Sequence, residues 1–115
     1  MKSPAGGLAW HNEVIIKTHP MKLVVIICEA LAREPVSRLL REVGAHGFTL
    51  FEVEGSGAHG PRVADIKEFA NIQIEVIVAP AVAERLLTRL ETEFFPRFAM
   101  IAYVQEVEVL RPEKF

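Results

Sequence analysis

Apolar residues fall in short blocks along this chain, and their spacing changes from block to block. Residues 21–28 form an apolar run rich in Val and Ile, which predicts a central strand buried on both faces. Pro35 suits the first turn of a helix. Val36, Leu39, Leu40 and Val43 then recur at helical spacing, with Arg38, Arg41 and Glu42 between them. That pattern predicts an amphipathic helix ended by Gly44 or Gly47. Residues 48–53 read as a second strand, followed by a glycine-rich loop to about Lys67. Residues 69–78 alternate, with Ile72, Ile74, Val76 and Val78 on one side, and read as a third strand. Pro80 opens a second helix with Val82, Leu86, Leu87 and Leu90 on its apolar stripe, closed by Phe94 and Phe95 before Pro96. Residues 98–104 read as a fourth strand and 107–110 as a short fifth.

The order β-α-β-β-α-β plus a short C-terminal strand is the ferredoxin-like pattern of the α+β class, an antiparallel sheet with both helices on one face. Residues 21–115 form that domain. Residues 1–20 are an N-terminal extension bounded by His19-Pro20, in which residues 13–17 could form a short strand. The other sheet face needs a cover. Half of the 115 residues are hydrophobic, high for one small domain, which points to subunits burying surface against one another.

The net charge of −2 gives no general attraction to nucleic acid or to an acidic membrane surface. No apolar run approaches the roughly 18 residues of a membrane helix. The single cysteine, Cys28, excludes an internal disulfide, fits a reducing cytoplasm and reads as a small core residue. No signal peptide is evident, so the expected location is cytoplasmic. The histidines and Cys28 show no close ligand spacing, so no metal site is expected. No catalytic motif appears, and the glycine loop carries no Walker lysine.

That loop is the strongest chemical signal. Residues 55–60 read Gly-Ser-Gly-Ala-His-Gly, a GxGxxG string followed by Pro61-Arg62. Glycines let backbone N–H groups approach a phosphate, and Arg62 supplies matching charge. A dinucleotide turn needs a helix to open at the third glycine. Here a strand-like run comes next instead, which puts the glycines on a loop between strands.

Taken together, the segments resemble the PII-like signalling proteins, in particular the carbon-linked branch of carboxysome-associated and bicarbonate-transporter-associated proteins. The likeness spans residues 22–115. It rests on Cys28-Glu29 ending the first strand, Gly44-Ala45-His46-Gly47-Phe48-Thr49, the glycine loop with its basic residue, and residues 70–76. Phe95-Pro96-Arg97-Phe98-Ala99 and Glu108-Val109-Leu110 complete it. The resemblance implies a homotrimer that binds adenine nucleotides, ADP or AMP foremost, in clefts between subunits, with bicarbonate as a further ligand. It implies that loop 55–67 is the T-loop, which contacts phosphate and a protein partner such as a bicarbonate transporter or carboxysome component. Gly55, Gly57, His59 and Arg62 would lie at its base near the phosphates. Phe98, Ala99, Met100 and Ile101 would line the adenine pocket, and Arg97 and Arg111 would add charge from neighbouring chains. Glu29 would meet a ribose hydroxyl or an arginine. The expected role is a sensor and not an enzyme. A small oligomeric ferredoxin-like enzyme and a metal-responsive trimer of the copper-tolerance kind are the alternatives.

Overall fold

The computed structural model describes residues 8–11, 14–57, 60–61 and 71–115. Strand β3, His19–Glu29, runs through the middle of a four-stranded sheet. Helix α1, Arg33–Val43, follows it, and strand β4 spans Thr49–Val53. Strand β7, Asn71–Val78, leads into helix α2, Pro80–Arg89, and strand β8, Met100–Val109. The sheet order is β4-β7-β3-β8, with every neighbouring pair antiparallel. This is the α+β ferredoxin-like arrangement that the pattern predicts.

Side-chain alternation assigns the faces. Val24, Ile26 and Cys28 of β3 and Ile72, Ile74, Val76 and Val78 of β7 are buried in one core with α1 and α2. The helices contribute Val36, Leu39, Leu40 and Val43, and Ala83 and Leu86, to the same core. Among the described residues, no helix lies on the opposite face. Val25 there is still only 2% exposed, but Ile101 is 59% and Tyr103 45% exposed.

The residues that end and join the helices are specific. Gly44 caps α1 with φ of +92°, and its N–H donates to the Arg41 and Leu40 carbonyls. No other described glycine has a positive φ, so Gly44 and not Gly47 is the stop signal. Arg85 Nη2 donates to the Val43 carbonyl at 3.1 Å, and Arg89 bridges Glu42 at 2.8 Å and Glu93 at 2.6 Å. These two arginines, i and i+4 on a face that the pattern reads as solvated, tie α2 to the end of α1.

After Arg89 the helix widens into a π turn, Leu90–Phe94, where Phe95 N–H donates to the Leu90 carbonyl at 2.9 Å. Leu90 and Phe94 are buried and Phe95 is exposed. The sequence predicts a break between the fourth strand and a short fifth, but β8 is one strand. Gln105 and Glu106 pair with Leu23 and Lys22, and the Lys22–Glu106 ion pair of 2.8 Å lies on the ladder. Two polar residues on an exposed edge strand do not interrupt it.

The extension holds a hairpin of its own, β1 (Leu8–His11) with β2 (Val14–Lys17), outside the main sheet. β3 begins at His19, so the main sheet starts inside the expected boundary at His19-Pro20, pairing these residues with Val109 and Glu108.

Gly44→Ala is expected to lower unfolding stability by about 1 kcal/mol. A Cβ there meets nothing within 4 Å, so the cost is the left-handed backbone alone. Gly47→Ala, with equal space and no positive φ, serves as the near-neutral control in urea denaturation.

Candidate functional site

One end of the sheet gathers several of the expected residues. The register places Val53 opposite Asn71, Asn71 opposite Glu29, and Cys28 opposite Met100. Ala99 N–H donates to the Glu29 carboxylate at 2.7 Å, and Glu29 N–H donates to the Ala99 carbonyl at 3.2 Å. This reciprocal clamp fastens loop 95–99 to the end of β3. In this structure the Glu29 carboxylate holds a backbone amide rather than an arginine.

Loop 95–99 is also held from the helix side. The N–H groups of Arg97 and Phe98 both donate to the Phe94 carbonyl at 2.9 Å. The Phe94 and Phe98 ring centroids are 5.9 Å apart, and the Arg97 guanidinium carbon stands 5.1 Å from the Phe98 centroid. Such contacts fix the ring and the cation together. Phe98 and Met100 pack against the helix-side core, whereas Ile101 stands on the open face.

Across the same sheet end lies Gly55, whose Cβ position would be 3.9 Å from Asn71 Nδ2. Gly57 follows in a two-residue strand, β5 (Ser56–Gly57), paired with β6 (Gly60–Pro61). Among the described residues, Ser56-Gly57 and Gly60-Pro61 therefore pair as a small antiparallel hairpin between β4 and β7. His59 and Arg62 lie outside the described residues. Arg111 belongs elsewhere: it follows β8 at the far end of the sheet, exposed, 3.7 Å from Glu113.

The open face holds a feature that the pattern does not reveal. A cavity of about 230 Å³ is lined by Leu23 of β3, Glu75 and Ile77 of β7, the turn Gly47-Phe48-Thr49, and Lys114 and Phe115 after β8. Its walls combine the apolar side chains of Leu23, Phe48, Ile77 and Phe115 with a hydroxyl at Thr49, a carboxylate at Glu75 and the Lys114 ammonium. Gln73 Nε2 donates to Glu75 at 2.8 Å and orients that carboxylate. The available signal was Glu75 itself, a charge on the second face of an internal strand, where alternation alone reads solvent.

Cys28 is buried beside Glu29, and its thiol is pushed up to about 11, first by burial and then by the Glu29 charge. Among the described residues, no group of three His, Cys, Asp or Glu is placed to hold a metal ion. No helix among them is long and apolar enough to cross a membrane.

Comparison with known proteins places the fold in context. The family model for nitrogen regulatory protein P-II matches residues 21–114. A PII-like signalling protein of Thermus thermophilus is 43% identical with a TM-score of 0.73, over 84% of this chain and 95% of that one. CPII of Thiomonas intermedia, a nitrogen regulatory PII-like protein solved with ADP, AMP and bicarbonate, is 30% identical with a TM-score of 0.80, over 87% and 97% of the two chains. The same protein with ADP and bicarbonate gives 31% identity and a TM-score of 0.78, over 87% and 98%.

Glu29→Ala is expected to release loop 95–99. Amide exchange at Ala99 should rise, and stability should fall by about 1–3 kcal/mol; unchanged exchange would count against the clamp. Cys28 is expected to resist thiol reagents at neutral pH in the folded protein and to react once it unfolds. Because its folded pKa lies above the unfolded one, its stabilising contribution is complete below about 9 and is lost as pH rises towards about 11. Cys28→Ala should flatten that part of the pH–stability curve.

Proposed function

The chain belongs to the nitrogen regulatory protein P-II family, and from this we propose that it is a trimeric signalling protein that binds ADP or AMP between neighbouring copies. Bicarbonate is its second ligand. Loop 55–67 passes the state of the site to a protein partner in inorganic-carbon uptake or fixation. The reading of the ligands draws on CPII, whose structures hold ADP, AMP and bicarbonate.

The observation that carries the proposal is the cavity on the open face. A flat base with an amino group suits a slot with apolar walls, a carboxylate and a hydroxyl. Phe98 and Met100 are committed to the chain's own core, so the base is assigned to the cavity. The phosphates are assigned to the other sheet end, where Gly55 and Gly57 carry backbone donors, with Arg62, soon after them in sequence, supplying the charge. Leu23 in the cavity and Glu29 in the clamp are six residues apart on β3, about 20 Å at strand rise. Both halves therefore serve one nucleotide only when the cavity of one copy meets the glycine hairpin of the next. The uncovered sheet face, with Phe51, Ile101 and Tyr103 exposed, is the surface on which copies meet. His59, Arg97 and Arg111 supply further charge in that cleft. The residues assigned here bind and report, and none is given a catalytic step.

Calorimetric titration with AMP, ADP, ATP and cyclic AMP, each with and without bicarbonate, tests this. One nucleotide per subunit is expected, with affinity changed by bicarbonate. Arg62→Ala is expected to weaken binding about tenfold to a hundredfold through loss of a charged hydrogen bond. Absence of heat with every nucleotide would overturn the proposal.

A further inference from the structure

Phe115, together with Lys114, stands apart from the other residues of the cavity. Leu23, Glu75 and Ile77 rise from the sheet, and Phe48 and Thr49 come from the turn and strand beside it. Phe115 comes from a separate segment that leaves the end of β8 and turns back. Pro112–Lys114 form one 3-10 turn, in which Lys114 N–H donates to the Arg111 carbonyl at 3.0 Å and Phe115 N–H to the Pro112 carbonyl at 3.1 Å. Proline at the first position fixes the direction of the turn. The ring is thereby brought to the cavity rather than into the core, and it remains 37% exposed.

A purine needs an apolar contact on each ring face and polar groups at its edge. The sheet supplies one face through Leu23 and Ile77, and Thr49 with Glu75 supplies the edge. We propose that Phe115 is the opposite wall, a stacking residue that grips the base and makes the site select for ligands that carry one. This rests on the assignment of the cavity to the base made above. An aromatic ring is the fitting residue for that task, because every base offers a π-face and the gain is independent of charge. The turn also places Arg111 three residues before Lys114, so one short segment carries a base contact and an exposed cation together.

The experiment compares ADP affinity in the wild-type chain with that in Phe115→Ala and Phe115→Leu. Phe115→Ala is expected to weaken ADP about fivefold to a hundredfold, the range of base–aromatic stacking. Phe115→Leu, which restores apolar cover without a π-face, should recover part of that loss. The exposed ring contributes little to the core, so the melting temperature should hardly move. A second arm puts the only indole at the site, with Phe115→Trp in a Trp10→Phe background. ADP should quench or shift its emission, and pyrophosphate, which has no base, should not. Equal ADP affinity in wild type and Phe115→Ala, or equal response of the indole to pyrophosphate, overturns the stacking role and leaves the cavity assignment standing. If the wild-type chain binds no nucleotide, both fall together.

Discussion

The structure depends on β3 being satisfied in every direction at once. Over residues 22–28 it pairs with β7 on one side and β8 on the other, so its backbone groups there are consumed by the two ladders. Its Val24, Ile26 and Cys28 side chains enter the helix-side core, where burial of each large aliphatic group contributes roughly 1.5–3 kcal/mol. Its Val25 is buried on the other face as well. A strand so placed cannot shift register, because a slip of one residue would exchange the two faces. The loops at its ends inherit that fixed position, and both halves of the candidate site are measured from them.

The helix layer is joined by chemistry of a different kind. Arg85 reaches the last carbonyl of α1, where cations suit the helix end, and Arg89 holds carboxylates from both helical segments. Glu93 is held below its usual range by the Arg89 contact. Such exposed pairs add little to stability singly. Their value is geometric: they set the two helices as one plate above the sheet. The opposite face carries no such plate among the described residues, and the cavity, Phe115, Phe51 and Tyr103 lie there.

Legibility followed the physics of each signal. The buried strand, the alternation of β7 and the α1 stripe were readable because burial acts on residue type directly, and the helix stop was readable as a glycine, Gly44 or Gly47, which backbone handedness resolves to Gly44. The glycine string carried a loop signal between two strand-like runs, and its described residues pair as a small hairpin. The cavity was not readable, since it joins Leu23, Thr49, Glu75 and Phe115 across four segments and no local pattern ties them. Glu29 carried its signal as a charge after a buried strand, but its partner is a backbone amide, which has no sequence signature. Continuous β8 was hidden by Gln105-Glu106, which break a hydrophobic run without breaking a ladder. Arg62 was the most legible charge of all, and it lies outside the described residues.

The π turn at Leu90–Phe94 sets an angle as well as a contact. An α-helix advances about 100° per residue, and the wider ring absorbs one extra residue without ending the helix. Leu90 and Phe94, four residues apart, both point inward, and the chain leaves the wide turn in the direction of Glu29. The phase of α2 is therefore the aiming device for loop 95–99, and the loop's heading is stored as a count of residues. A single deletion within 90–94 would remove the residue that the wide turn accommodates and shorten the path to the loop by about 1.5 Å, with every side chain of the loop intact. Length in this short segment is thus as much a part of the site as the identity of any residue in it.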